Sequence, residues 1–137
     1  MAATATLAVR HPLLTRVLWA DVAISGPFGL LLAVAAGPLA DLLGLPAPLL
    51  RTAGIVLLPI VAFIAWVASR PAPPKWAVLA VVDVNALWAA TSIILLLAAG
   101  LSPNALGVAF VVAQAVAVAG IAELQYIGLR RSVTGPA

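Results

Sequence analysis

The first long apolar run of the chain spans residues 13–37 and reads LLTRVLWADVAISGPFGLLLAVAAG. A membrane-crossing helix needs about 20 mostly apolar residues, so this run predicts a transmembrane helix. Within it, small or polar residues recur at every fourth position and form one stripe on the helix surface: Asp21, Ser25, Gly29, Ala33 and Gly37. Small side chains let helices approach closely in lipid, and a carboxylate in an apolar span is costly unless it faces protein or water. We therefore expect this stripe to contact other helices.

The composition indicates a membrane protein along the whole chain. Of its 137 residues, 65% are hydrophobic and only 8% are charged, and the mean hydropathy is +1.23. These few charges cannot cover the surface of a water-soluble domain. Further apolar runs follow the first, and the predicted spans are 13–37, 51–69, 75–99 and 103–129. The sequence thus predicts a single all-α domain over residues 1–137, a four-transmembrane-helix bundle, with a short interfacial helix within residues 38–50.

Several classes of function are disfavoured by what the sequence lacks. It contains no cysteine, hence no disulfide or thiolate site, and the single histidine, His11, cannot form a histidine metal site alone. Glycine-rich phosphate loops and nucleophile motifs are missing too. The net charge of +3 comes from Lys and Arg at span ends, where basic residues indicate membrane orientation. We predict no cofactor, no metal and no nucleic-acid partner, and the sequence favours a non-enzymatic protein.

The distribution of positive charge predicts the topology. Four spans place both termini on one side, and that side with its adjoining helix ends holds six of the seven basic residues: Arg10, Arg16, Arg70, Lys75, Arg130 and Arg131. Arg51 lies on the other side. Positive charge resists translocation, so we expect both termini in the cytoplasm and the protein in a bacterial cytoplasmic (inner) membrane.

Three acidic residues lie inside predicted spans. Asp21, Asp83 and Glu123 come from three different helices. At the α-helical rise, each lies about 7–12 Å along its helix from a basic residue on the predicted cytoplasmic side. Since their depths are similar, we expect a buried polar cluster, with Gln125 as an additional amide partner. Its candidate members are Asp21, Asp83, Asn85 and Glu123.

Two interpretations of this polar cluster stay open. Carboxylates gathered in a medium of low dielectric favour the binding of a proton or cation, which is typical of a coupled transporter. Alternatively, each acid bonds to a neighbouring polar or basic side chain and joins the helices without any transport.

Local signals predict where the fourth span begins and how it packs. Ser102 followed by Pro103 is typical of a helix N-cap and first helical position. A line of mostly small residues at four-residue spacing runs from Gly107 to Glu123, so spans one and four are expected to pack through their stripes. After the last span, residues 132–137 are predicted to fray.

Two larger polar side chains lie nearer the middle of their spans. Trp88 has two interpretations, a residue that lines a ligand cavity and a residue that only packs. Gln114 is expected to bond across helices.

The chain also resembles known families. At Gly44-Leu45-Pro46, the following LLRTAGIVLL and the four-span layout, residues 14–70 resemble the DoxX-like group of small bacterial four-helix membrane proteins. This resemblance implies no thiol chemistry here, because the cysteines of redox-active relatives are absent. Asp21 lies where small multidrug resistance transporters have an essential acid in their first helix, but those proteins typically have glutamate. The charge bias also differs from that of their dual-topology members.

The sequence therefore favours an integral membrane protein that acts as an accessory or scaffold protein, because it has smooth small-residue faces and little room outside the membrane. Its expected partners are the lipid bilayer and either further copies of the chain or another membrane protein. The alternative is a small proton- or cation-coupled transporter that uses the carboxylate cluster on the cytoplasmic side.

Overall fold

The computed structural model describes residues 6–9 and 11–135. Arg10, one of the six basic residues on the predicted cytoplasmic side, lies outside the described residues. The helices of this part of the chain are α1 (Pro12–Val34), α2 (Ala36–Leu43), α3 (Ala47–Ser69), α4 (Lys75–Ala98) and α5 (Ala105–Arg131). Of these, α1, α3, α4 and α5 are long and apolar enough to cross a membrane. The predicted all-α architecture with four candidate spans is thereby confirmed.

Two short strands join the ends of the described chain. β1 (Thr6–Val9) pairs antiparallel with β2 (Val133–Gly135). Beside them, the backbone N–H of His11 donates to Oγ of Ser132 at 2.9 Å, and that hydroxyl donates to the carbonyl of Gly128. Residues 133–135 are therefore paired, and the prediction that they fray was wrong; residues 136–137 lie outside the description. We call this side of the bundle the termini end and the opposite side the α2 end.

Prolines lie at the break between α1 and α2 and at the start of α3. Pro38 has no N–H to donate to the carbonyl of Val34, and its ring would clash with that carbonyl in a continuing helix. In the first turn of α2 the same proline is tolerated, because N–H groups there have no intrahelical partner. Pro48 is accommodated likewise in the first turn of α3, which begins before the predicted residue 51. Gly37 therefore belongs to α2, and the prediction of span one up to residue 37 was wrong at its end.

The start of α5 differs from its prediction as well. Its N-cap is Asn104, whose side chain accepts a hydrogen bond from the N–H of Gly107 at 2.8 Å. The side-chain amide of Asn104 also donates to the carbonyl of Leu42 at 2.9 Å. Asn104 thus caps α5 and ties it to α2, whereas the predicted cap, Ser102, lies outside the helix.

Two helix pairs form the bundle, α1 with α3 and α4 with α5. The first pair approaches closely at Gly54, where a Cβ would overlap with the backbone of Gly29 and Ala33. These small residues of the α1 stripe contact α3, so the prediction that they pack against span four was wrong. Instead, α5 approaches α1 at Gly128, where a Cβ would lie 2.8 Å from the backbone of Leu14.

The apolar core is divided between the two ends of the bundle. At the termini end all four long helices contribute to one buried cluster: Leu14, Leu18, Ile64, Val67, Ala68, Ala77, Val78, Val81 and Leu129. At the α2 end the buried cluster comes from α1, α2, α3 and the α2–α3 connection: Leu32, Ala36, Leu43, Leu45 and Leu50. No residue of α4 belongs to this second cluster. α4 is therefore packed against the rest of the bundle more tightly at the termini end than at the α2 end.

Candidate functional site

A cluster of polar side chains lies buried between α1, α4 and α5. Its members are Asp21, Ser25, Asn85 and Gln125, none of them more than 8% exposed. Oδ1 of Asp21 accepts a hydrogen bond from the Ser25 hydroxyl at 2.8 Å. Oδ2 of Asp21 accepts from the amide of Asn85 at 2.7 Å and from the amide of Gln125 at 2.8 Å. The Asn85 amide also donates to Oε1 of Gln125 at 2.9 Å, so the three longer side chains form a closed triangle.

Helical spacing positions each member of this cluster. Ser25 lies one turn after Asp21, so the two side chains share a face of α1. On α4, Asn85 lies one turn from the buried residues Val81 and Ala89. On α5, Gln125 lies between the buried residues Ala122 and Leu129. The polar side chains thus lie on the same helix faces as the buried apolar residues.

The groups that donate hydrogen bonds to the Asp21 carboxylate are all neutral. Three hydrogen bonds reach the Asp21 carboxylate, and all come from hydroxyl or amide groups. Within the described part of the chain, no buried side-chain nitrogen or oxygen lacks a hydrogen-bond partner. A network in which the buried polar atoms are paired is stable in a medium of low dielectric, where an unpaired polar group would be costly. The cluster therefore joins three helices.

The same geometry allows proton chemistry at one position. A serine hydroxyl can donate or accept, whereas an ionised carboxylate only accepts. If Asp21 takes up a proton, the contact between Asp21 and Ser25 can reverse its direction without any movement of heavy atoms. The two amide donors on Oδ2 would remain in place.

Asp83 and Glu123, the other predicted members of the polar cluster, lie elsewhere. Both side chains are exposed on the outer surface of the bundle, so the expected layer of three acids does not form. The reason is helical geometry, since residues two positions apart on a helix point in nearly opposite directions. Asn85 and Gln125 face inward, and Asp83 and Glu123 consequently face outward. The sequence offers no hydropathy signal for this difference, because the residues around all four positions are apolar on nearly every face of the helices.

The predicted contact stripe is divided in the structure. Ser25 and Gly29 are buried, and Ala33 is half-buried on α1. Gly37 is half-buried on α2. Thus the part of the stripe nearest Asp21 lies inside the bundle, and the break before α2 separates its last member.

A second polar contact joins α4 and α5 nearer the α2 end. Nε1 of Trp88 donates to Oε1 of Gln114 at 3.1 Å, and the Gln114 amide donates to the carbonyl of Val111 at 3.0 Å. The Ser92 hydroxyl donates to the carbonyl of Trp88 at 2.7 Å. Gln114 therefore bonds across helices, and Trp88 is held in one orientation.

Over residues 6–9 and 11–135, no three His, Cys, Asp or Glu side chains come together as metal ligands would. Comparison with protein-family models, curated proteins and solved structures finds no match to the chain. The resemblance to the DoxX-like group therefore stays a prediction.

Proposed function

We propose that this chain is a non-enzymatic accessory protein that binds another membrane protein through the outer face of α4 and α5. The observation that supports this proposal is the exposure of Asp83 and Glu123. No hydrogen bond or ion pair within the described residues reaches either carboxylate. Asp83 lies about 12 Å along α4 from Lys75, and Glu123 about 10 Å along α5 from Arg130. Carboxylates that face lipid at such depth are costly, so covering them would stabilise the complex with a partner.

The surface beside these acids is suited to helix packing. Asp83 lies one turn from Ala86, and Glu123 lies one turn from Ala119. Both alanines line a shallow groove between the two helices, whose wall is formed by Ala86, Ala89, Ala90, Ile93, Ala115, Val116, Ala119 and Ala122. Small side chains allow a further transmembrane helix to approach the backbone closely. A helix in this groove would extend toward both carboxylates.

The charge of the face defines the chemistry of the partner. A transmembrane helix that carries Arg or Lys at the depth of Asp83 and Glu123 would pair with them in a medium where such pairs are strong. A second copy of the chain is a poorer fit, since a two-fold interface through this face would bring the acidic residues of both copies together at a similar depth. We therefore infer a different membrane protein as the partner.

The experiment uses a photoreactive amino acid at Ala119 in the groove and at Ala62, an exposed alanine on α3 outside it. In membranes of the native host, we expect Ala119 to cross-link to one polypeptide with a basic residue in a transmembrane segment. The double variant Asp83→Asn/Glu123→Gln should lose this product, while the Ala62 position should never give it. Cross-links from Ala119 to lipid alone, or to a second copy, would overturn the proposal.

The membrane and topology form part of the same proposal. We place the chain in a bacterial cytoplasmic membrane with both termini inside, because Arg16, Arg70, Lys75, Arg130 and Arg131 all lie toward the termini end, whereas Arg51 lies at the α2 end. The chain has no cysteine, so single cysteines can report the topology. In intact cells, a membrane-impermeant maleimide should label Ser102→Cys and spare Ser69→Cys. The opposite pattern would reverse the topology.

A proton- or cation-coupled transporter is the second candidate, and the buried Asp21 favours it. A carboxylate held inside a span by neutral donors is a suitable place for a proton or cation to bind. The structure limits this hypothesis to Asp21, since Asp83 and Glu123 face outward. Water would have to reach Asp21 during each transport cycle.

Flux into proteoliposomes tests the proton-conducting form of this second candidate. With an imposed membrane potential and an internal pH-sensitive dye, proton entry should depend on the protein and disappear in Asp21→Asn. Asp83→Asn is the matched control and should retain the flux. Equal flux in wild-type and protein-free vesicles would exclude proton conduction under an imposed potential.

A further inference from the structure

A large cavity lies between α3, α4 and α5 toward the α2 end of the bundle. Its volume is about 460 Å³, which is within the usual range of ligand sites. It occupies the region where α4 contributes nothing to the buried apolar cluster at the α2 end. The cavity therefore exists because α4 packs tightly against the other helices at the termini end but not at the α2 end.

The cavity opens toward the surrounding bilayer between α3 and α4. Two of its lining residues, Val56 on α3 and Leu87 on α4, are 48% and 65% exposed. Thr52 and Thr91 also line the cavity and are exposed. A molecule can thus enter sideways from the membrane. Because α3 and α4 are candidate membrane spans, the opening between them faces the hydrocarbon of the bilayer.

The deep wall of the cavity offers no unpaired polar group. Trp88 and Gln114 lie there, but they bond to each other, and Ser92 bonds to the carbonyl of Trp88. No Lys, Arg, Asp or Glu is among the lining residues. A charged headgroup would lose its hydration without gaining a charged partner, whereas an apolar acyl chain loses nothing. The wall therefore selects hydrocarbon and leaves a charged headgroup in the membrane interface.

We propose that this cavity binds one acyl chain of a bilayer phospholipid, which enters between α3 and α4 from the leaflet at the α2 end. The methyl end of the acyl chain lies against Trp88 and Phe28, and the lipid headgroup stays at the membrane surface. An acyl chain in this position supplies contact partners to the apolar cavity walls, and the many small dispersion contacts add up to a favourable binding free energy. This proposal is independent of the partner face on α4 and α5.

The probe is a phosphatidylglycerol whose second acyl chain carries a diazirine near its midpoint. The protein is reconstituted with this lipid in nanodiscs, irradiated and digested, and the labelled residues are mapped by mass spectrometry. We expect labelling of residues on the cavity walls of α3 and α4. Labelling spread evenly over all outward-facing residues would show ordinary surrounding lipid and overturn the proposal.

Two filling variants make the test specific. Thr91→Trp places a large side chain at the rim of the cavity, and Ala53→Phe fills it from α3. Each should reduce cavity labelling about tenfold, which corresponds to about 1.4 kcal/mol of lost binding free energy. Ile94→Trp is the control, because Ile94 is 60% exposed on α4 and does not line the cavity. Unchanged labelling in a folded filling variant, or preferential displacement of the phospholipid by free palmitate, would contradict the assignment.

Discussion

The side-chain amide of Asn85 lies 2.7 Å from Oδ2 of Asp21, across 64 residues of sequence and between two transmembrane helices. Gln125 completes the contact from a third helix at 2.8 Å. Side-chain hydrogen bonds between membrane helices each contribute little, on average about 0.6 kcal/mol. A closed network in which each buried side-chain nitrogen or oxygen has a partner adds cooperativity and a unique arrangement of helices.

Loss of the central acceptor should destabilise the bundle. Asp21→Leu leaves the Gln125 amide without its acceptor, and we expect the free energy of unfolding to fall by about 1–3 kcal/mol. The measurement is unfolding in mixed detergent micelles with increasing denaturing detergent. Asp83→Leu is the matched control and should leave the stability of the monomer unchanged or raise it, because Asp83 is exposed. Equal losses in both variants would contradict the assignment of Asp21 alone to the core.

Asn85 and Gln125 should behave as one energetic unit. In a double-mutant cycle with Asn85→Ala and Gln125→Ala, we expect a coupling free energy of about 0.5–2 kcal/mol, because the two side chains bond to each other and share Asp21. The same cycle with Glu123→Ala in place of Gln125→Ala should be additive within about 0.5 kcal/mol. A coupling with Glu123 as large as that with Gln125 would mean that α5 is rotated relative to this arrangement.

The close crossing of α1 and α3 should not tolerate a methyl group. Gly54→Ala would place a Cβ against the backbone of Gly29 and Ala33, which cannot yield as a flexible side chain would. We expect a loss of about 1–3 kcal/mol in the free energy of unfolding. Gly120→Ala has open space around the added Cβ and should be neutral, or stabilising by about 0.5–1 kcal/mol through helix propensity. If the two variants unfold alike, the helices do not cross at Gly54.

The cap of α5 should depend on asparagine rather than on the preceding serine. Asn104→Ala removes the hydrogen bonds to Gly107 and Leu42, and we expect it to cost about 0.5–2 kcal/mol in the free energy of unfolding. Ser102→Ala should change this quantity by less than about 0.5 kcal/mol. Amide hydrogen exchange over residues 105–108 gives a local measurement, with faster exchange expected only in Asn104→Ala. Faster exchange in Ser102→Ala would support the cap that the sequence favoured.

Much of the fold could be predicted because its signals are local. A span is recognised from the length and hydropathy of one continuous segment, and the four long helices agree with the predicted spans to within a few residues. The error at the start of α5 comes from a tertiary contact that the sequence does not show. Asn104 was preferred over Ser102 because its amide also reaches the carbonyl of Leu42, a contact with a distant helix.

The candidate site required the tertiary structure. Asp21 and Asn85 were predicted to share a polar cluster and do lie together, but the sequence also assigned Asp83 and Glu123 to it. In a soluble protein, an apolar stripe on a polar helix would have distinguished the inner face from the outer one. Here the helices are apolar on nearly every face.

By itself, therefore, the sequence determined that the chain forms four apolar helices joined by short proline- and glycine-containing connections. Only the tertiary structure decided which side of each helix is buried, and hence that Asn85 and Gln125 bind Asp21 while Asp83 and Glu123 face outward. The physical reason is that lipid and protein interior are almost equally apolar, so hydrophobicity does not orient a membrane helix about its axis. That orientation comes from close packing at small residues such as Gly54 and Gly128 and from hydrogen bonds between distant polar side chains.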